Sequence, residues 1–235
     1  MRLHTLIISL VVSLACLAAD TGAVKARADR AYAAGEWASA GALYMLATNT
    51  EAPEARSFGR IIVCAIMRSD STVTVPEIER ALSAHVPLDS VLGIVSDETR
   101  TLGRPQAFEK ELTRIAANLP YLRRPLDSHF LRYYTGRADG DNIIFYARRM
   151  LAGLPESPVY LNALAYGYLL NADYDAAEKT WLAVLAAAPD NAEALNGLGN
   201  LLLTTDRSRA LDYLRHAYRV APTPYLSSLI KQYSN

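Results

Sequence analysis

Asp139, Asp141 and Asn142 fall within four residues and carry the oxygen donors that a hard cation such as calcium takes. A calcium-binding helix–loop–helix needs a glutamate at the twelfth loop position. Counted from Asp139, that position is Met150, so the stretch predicts an ordinary acidic turn. The histidines, His4, His85, His129 and His216, are scattered, and none forms an HExxH pair on one helix face. His216, beside Arg215 and close to Arg219, is expected to be solvated. There is no GxxxxGK[ST] phosphate loop, no GxSxG elbow and no paired-cysteine metal motif, so no cofactor, metal or catalytic residue is assigned. A triad can assemble from distant residues. An unrecognised enzyme site therefore stays open as an alternative, and it would need polar residues between Arg56 and Arg149 to converge in a deep pocket. Cys64 lies in the apolar run Ile61, Ile62, Val63, Cys64, Ala65, Ile66, Met67 and predicts a buried, inert thiol. Arg123, Arg124, Arg132, Arg137, Arg148 and Arg149 share a stretch whose acidic residues are Asp127, Asp139 and Asp141. Two readings stand for it: a patch for an acidic partner, or a solvated face.

The elements that must position such residues read as helices. Leu161, Leu164, Ala165, Tyr168 and Leu169 recur at helical spacing and make one apolar stripe. Asn171, Ala172 and Asp173 break it, because Asn and Asp side chains bond their own backbone in turns. Ala177, Trp181, Val184, Leu185 and Ala188 make a second stripe, and Pro189 ends that helix. Small Ala165 and Ala177 allow two antiparallel helices to approach, and Trp181 is expected to fill the gap to the neighbouring hairpin. Residues 190–222 repeat the plan, with Pro189 and Pro222 standing 33 residues apart.

This pattern resembles the tetratricopeptide repeat (TPR), whose period is about 34 residues. The first copy, 158–189, matches at Leu164, Ala165, Tyr168, Tyr174, Ala177, Trp181 and Pro189. The second, 190–222, matches at Leu198, Gly199, Leu202, Ala210, Leu214, Ala217 and Pro222, one residue short in its turn at 204–208. Ala165 replaces the usual glycine, and Leu161 and Leu195 replace the usual tryptophan. A weaker copy at 24–53 offers Tyr32, Gly35, Trp37, Ala40, Tyr44 and Ala47, and another spans 121–155. The resemblance implies an all-α fold, a TPR-like α-solenoid of antiparallel helical hairpins. Residues 54–118 read as divergent helices, with 71–75 a short extended connector closed by Pro76. Residues 224–232 read as a capping helix over the open apolar end of the array.

The family's role is binding other proteins, not catalysis. In it the first helix of each hairpin lines a concave groove, and those positions fall here on Val159, Asn162, Tyr166 and Leu169, then on Glu193, Asn196, Asn200 and Leu203. Arg132 takes a comparable place in the preceding hairpin. The expected partner-binding set is Arg132, Asn162, Tyr166, Asn196 and Asn200, with Asn162 and Asn196 exposed. Asn supplies both donor and acceptor to a peptide backbone, and Tyr adds a flat amphipathic contact. The alternative is that these asparagines only cap or solvate the surface. The family's two-carboxylate clamp also uses Lys, and Asn162 and Asn196 stand where Lys is expected.

The 235 residues are 51% hydrophobic and 20% charged, with a net charge of zero. That composition fits a folded chain and argues against general nucleic-acid binding, which needs a basic footprint. With no Gly/Ser linker, residues 20–235 are expected to form a single helical-repeat domain. Residues 1–19 read as a secretory signal peptide. Arg2 is the positive start, and 6–19 are apolar apart from Ser9 and Ser13 and too short to span a bilayer of about 20 residues. Cleavage after Ala19 or Ala23 fits the small residues there. Ala15-Cys16 partly matches a bacterial lipoprotein signal, although Ser13 and Leu14 depart from it. The expected protein is thus an interaction scaffold in the periplasm or secreted, or alternatively a lipoprotein of an envelope assembly anchored through Cys16.

Overall fold

The computed structural model describes residues 22–50 and 52–234. The signal segment and Cys16 lie outside the described residues. All regular structure among the described residues is helical. The chain divides into two compact units, the first ending at Leu126 and the second beginning at Asp127.

The first unit holds α1 (residues 22–33), α2 (Trp37–Thr50), α3 (Ala55–Met67), α4 (Thr74–Ser83), α5 (Leu88–Thr101) and α6 (Pro105–Asn118), followed by a single 3₁₀ turn at Pro120–Leu122. Helix α3 is central and packs on α2, α4, α5 and α6. Its Ser57, Phe58, Gly59, Ile61, Ile62, Val63, Cys64 and Ala65 are all buried, as expected of a helix that is apolar nearly all round. A Cβ on Gly59 would come within 2.7 Å of the Ile94 side chain, so α5 crosses there at the closest approach a backbone allows. Burial pushes the Cys64 thiol up to about 12, which keeps it protonated and inert. At the rim of this core Arg60 is clamped by Asp29, Glu98 and the Tyr44 hydroxyl, with its guanidinium 4.5 Å from the centre of the Tyr32 ring.

The structure corrects the reading of 71–75 as an extended connector. Helix α4 already begins at Thr74, with Pro76 inside its first turn. The first backbone N–H groups of a helix have no intrahelical partner, so proline is tolerated there. Helix α7 (Arg123–Thr135) likewise begins upstream of a proline, Pro125.

The second unit continues from α7 through α8 (Gly140–Leu151), α9 (Pro158–Leu170), α10 (Tyr174–Ala187), α11 (Ala192–Leu202), α12 (Arg207–Val220) and α13 (Pro224–Tyr233). From α8 onward each helix packs on the next, and α9 also touches α11. Five of these helices begin under a side-chain cap. Asp139 accepts from Asn142 N, Asp173 from Ala176 N, Asn191 from Ala194 N, Asp206 from Arg209 N and Thr223 from Leu226 N. The acidic turn at Asp139 is therefore a helix cap. Trp181 fills the interval between hairpins, 3% exposed, and a Cβ on Gly197 would meet its ring at 2.4 Å.

Candidate functional site

Asn162 and Tyr166 are four residues apart on α9, and Asn196 and Asn200 four apart on α11, so each pair shares a helix face. Because α9 and α11 are the first helices of adjacent hairpins and touch, the two faces meet. Together with Leu169, Glu193, Gly197 and Trp181 they line a pocket of about 300 Å³. Four of the five expected residues are thus brought together. Arg132 does not line this pocket; it is exposed on α7, where its guanidinium donates to Ser128 Oγ at 3.1 Å. Val159 and Leu203 also lie outside the lining, whereas Trp181, expected from sequence to pack between hairpins, belongs to it, as does Gly197.

The expectation that Asn162 is exposed is corrected, since it is 2% exposed. Its Nδ2 donates to Asn191 Oδ1 at 3.0 Å and to Glu193 Oε2 at 3.1 Å. Asn191 Oδ1 is at the same time the cap acceptor for Ala194 N. Two residues of the next hairpin's helix start therefore fold over Asn162 and cover it. With acceptors on both sides of Nδ2, the amide has one sensible orientation. Its Oδ1 is left buried with no hydrogen-bond partner, and so is Trp181 Nε1. Both atoms belong to residues that line the pocket, and both are themselves covered from solvent.

Asn196 is half-buried, and Asn200 Nδ2 donates to both its backbone and its side-chain oxygens at 2.8 Å. Asn200 Oδ1 accepts from the Tyr225 hydroxyl at 2.7 Å, which ties α11 to α13. These amides brace the groove as well as line it. The Glu193 side chain reaches solvent, yet the surrounding protein strips water from its carboxyl and raises its pKa above the ordinary value, against the lowering effect of the Asn162 hydrogen bond. A second pocket of about 500 Å³ shares Leu169 and Asn200 with the first and adds Tyr174, Asp175 and Glu178.

The arginine stretch is largely engaged with its own neighbours. Arg148 donates to the Tyr168 hydroxyl at 2.8 Å. Arg149 pairs with Asp127 at 2.9 Å and lies over Phe145 and Tyr146, and Arg137 lies over Tyr133. In the first unit a hollow of about 510 Å³ between α3 and α6 includes Asp70, Lys110, Glu111 and Arg114. There Asp70 bonds Thr72 and Arg68, and Glu111 takes Arg114.

No family model matches the chain, and no characterised protein matches it in sequence. Among solved structures, a chain of the APC/C hetero-tetramer Cut9–Hcn1 superposes with a TM-score of 0.51 at 12% identity, over 92% of this chain and 43% of that one. This chain thus spans less than half the length of that structure. Pseudomonas aeruginosa pilF is similar at a TM-score of 0.47 and 14% identity, over 92% of this chain and 98% of its own. The C-terminal part of a TPR repeat-containing protein from Cytophaga hutchinsonii gives 0.47 and 14%, over 83% and 78%. At such identities the likeness is one of fold. The chain is an all-helical, TPR-like array of antiparallel hairpins.

Proposed function

With a TPR-like fold as the premise, we propose that this chain is a non-enzymatic interaction scaffold that holds a segment of a protein partner between α9 and α11. One observation carries the reading: Asn162, Tyr166, Asn196 and Asn200, from adjacent hairpins, line a single pocket, two of whose lining residues, Asn162 and Trp181, hold a buried amide oxygen and a buried indole N–H without a partner. A peptide backbone supplies the donors and acceptors that such a surface lacks, and Tyr166 offers the kind of aromatic anchor that dominates interfaces. Solenoids of helical hairpins characteristically use such surfaces for binding. The zero net charge favours protein over nucleic acid as the partner.

The scaffold works outside the cytoplasm, in a bacterial envelope. Support for this comes from Arg2, the apolar stretch 6–19 and the small residues that follow it. N-terminal sequencing of the native protein is expected to start at Asp20 or Val24, or at a lipidated Cys16. An intact Met1 would rule out export.

The binding claim is tested by placing a photo-crosslinking phenylalanine analogue at position 166 and irradiating the protein in envelope extracts. A discrete crosslinked protein is expected from position 166 and not from position 218, an exposed site on α12. Equal crosslinking from both positions would remove the groove from the account.

A further inference from the structure

We propose that the pocket between α9 and α11 receives a basic side chain of the bound segment, an arginine-type guanidinium, and rejects a carboxylate; this rests on the groove reading above. The charge lining the pocket is that of Glu193, and the adjoining pocket adds Asp175 and Glu178. Among the described residues, no lysine or arginine lines either pocket. Glu178 is paired with Arg209 at 3.1 Å, whereas the one hydrogen bond that Glu193 takes from a side chain is that of the neutral Asn162 amide.

The unmet polar atom agrees with the charge. Asn162 Nδ2 is committed to Asn191 Oδ1 and Glu193 Oε2, so Asn162 Oδ1 is an acceptor in want of a donor. A guanidinium presents several donors in a rigid fork, enough to reach an amide oxygen and a carboxylate together, and it stacks on an aromatic face such as Tyr166. A bound cation also relieves the cost of leaving the partly desolvated Glu193 charged. The unmet Trp181 Nε1 then suits a backbone carbonyl of the same segment. A carboxylate in the pocket would face Glu193 and the Asn162 oxygen, a like-charge juxtaposition that excludes wrong partners.

The chain holds two tryptophans, so its indole N–H resonances are two, and Trp37→Phe assigns that of Trp181. The test titrates isotope-labelled full chain with three capped pentapeptides, Ser-Ala-X-Ala-Ser, in which X is Arg, Gln or Glu. The Trp181 resonance is expected to move with the Arg peptide at an affinity about tenfold above that for the Gln peptide, and not to move with the Glu peptide. Glu193→Gln, which keeps an acceptor for Asn162, is expected to abolish the preference of Arg over Gln. Equal binding of Arg and Gln peptides, or tighter binding of Glu, overturns the inference and leaves the groove reading standing. No movement with any of the three at millimolar concentration overturns both.

Discussion

The second unit punctuates its repeats with side-chain caps, and the first carries its helices with little of that punctuation. Asp139, Asp173, Asn191, Asp206 and Thr223 each cap a helix with a side-chain oxygen. In the first unit α3, α4, α5 and α6 start without any side-chain cap. The turns do not separate the units. A helix C-terminus commonly needs a left-handed residue, usually glycine. Gly35 and Gly103 meet that need in the first unit, but Ser69 and His85 there, and Ala138 and Ala172 in the second, take the same positive φ without a glycine to mark them. The lesson is that helices form and pack where repeat punctuation is missing. Packing around one buried helix, α3, and the Arg60 clamp hold the first unit, whereas the second rests on local signals and on Trp181.

That contrast can be broken at its strongest points first. Trp181→Ala should lower stability by about 3–5 kcal/mol in chemical denaturation, since the indole fills the space against Gly197. A loss below about 1 kcal/mol would mean that the second unit does not depend on its inter-hairpin packing. Arg60→Ala in the first unit should cost about 3 kcal/mol, because its removal leaves Glu98, whose side chain is 23% exposed, without its cation. An Arg60→Ala protein as stable as wild type would leave α3 packing alone to hold that unit.

A smaller effect sharpens the comparison. Asp173→Ala should cost about 1 kcal/mol through the lost cap on α10. Glu54→Ala, at the start of α3, removes no cap; it costs only the ion pair with Lys25 and the bond from Ser57, about 0.5 kcal/mol. Thermal denaturation of the two variants should rank them in that order.

The smallest effect is electrostatic and opposite in sign in the two units. Partial burial pushes Glu54 up, but the Lys25 and Ser57 hydrogen bonds outweigh it and hold its pKa below the ordinary value. Its contribution is therefore present above the unfolded pKa and is lost as pH falls through the folded one. The Glu193 pKa is raised by desolvation, so its contribution is full below the unfolded pKa and is lost as pH rises through the folded value. Melting temperatures measured from about pH 3 to pH 7 should rise with pH less in the Glu54→Gln protein than in wild type, and more in the Glu193→Gln protein.

Much of this was legible because helical spacing and the 33-residue recurrence of Pro189 and Pro222 are local facts of the sequence. The four-residue spacing of Asn196 and Asn200 likewise placed both on one face. What sequence left out depends on residues far along the chain. Asn162 is buried because Asn191 and Glu193, about thirty positions away, close over it. Proline misleads at Pro76, because it marks the first turn of a helix without fixing which residue of that turn it occupies. Arg132 was placed by analogy with the clear repeats, but its hairpin does not carry it to the pocket.

One groove, between α9 and α11, is proposed to bind the partner. Its most direct test is a titration of the partner captured through position 166 against wild type, Tyr166→Ala, Asn196→Ala and the double variant Arg148→Ala with Arg149→Ala, each first shown to melt as a folded protein. Tyr166→Ala is expected to weaken binding by about 2 kcal/mol or more. Asn196→Ala should weaken it by about 0.5–1.5 kcal/mol, and the arginine variant should bind as wild type does. Unchanged affinity in both groove variants, with binding abolished in the arginine variant, would contradict it and move the binding face to α8.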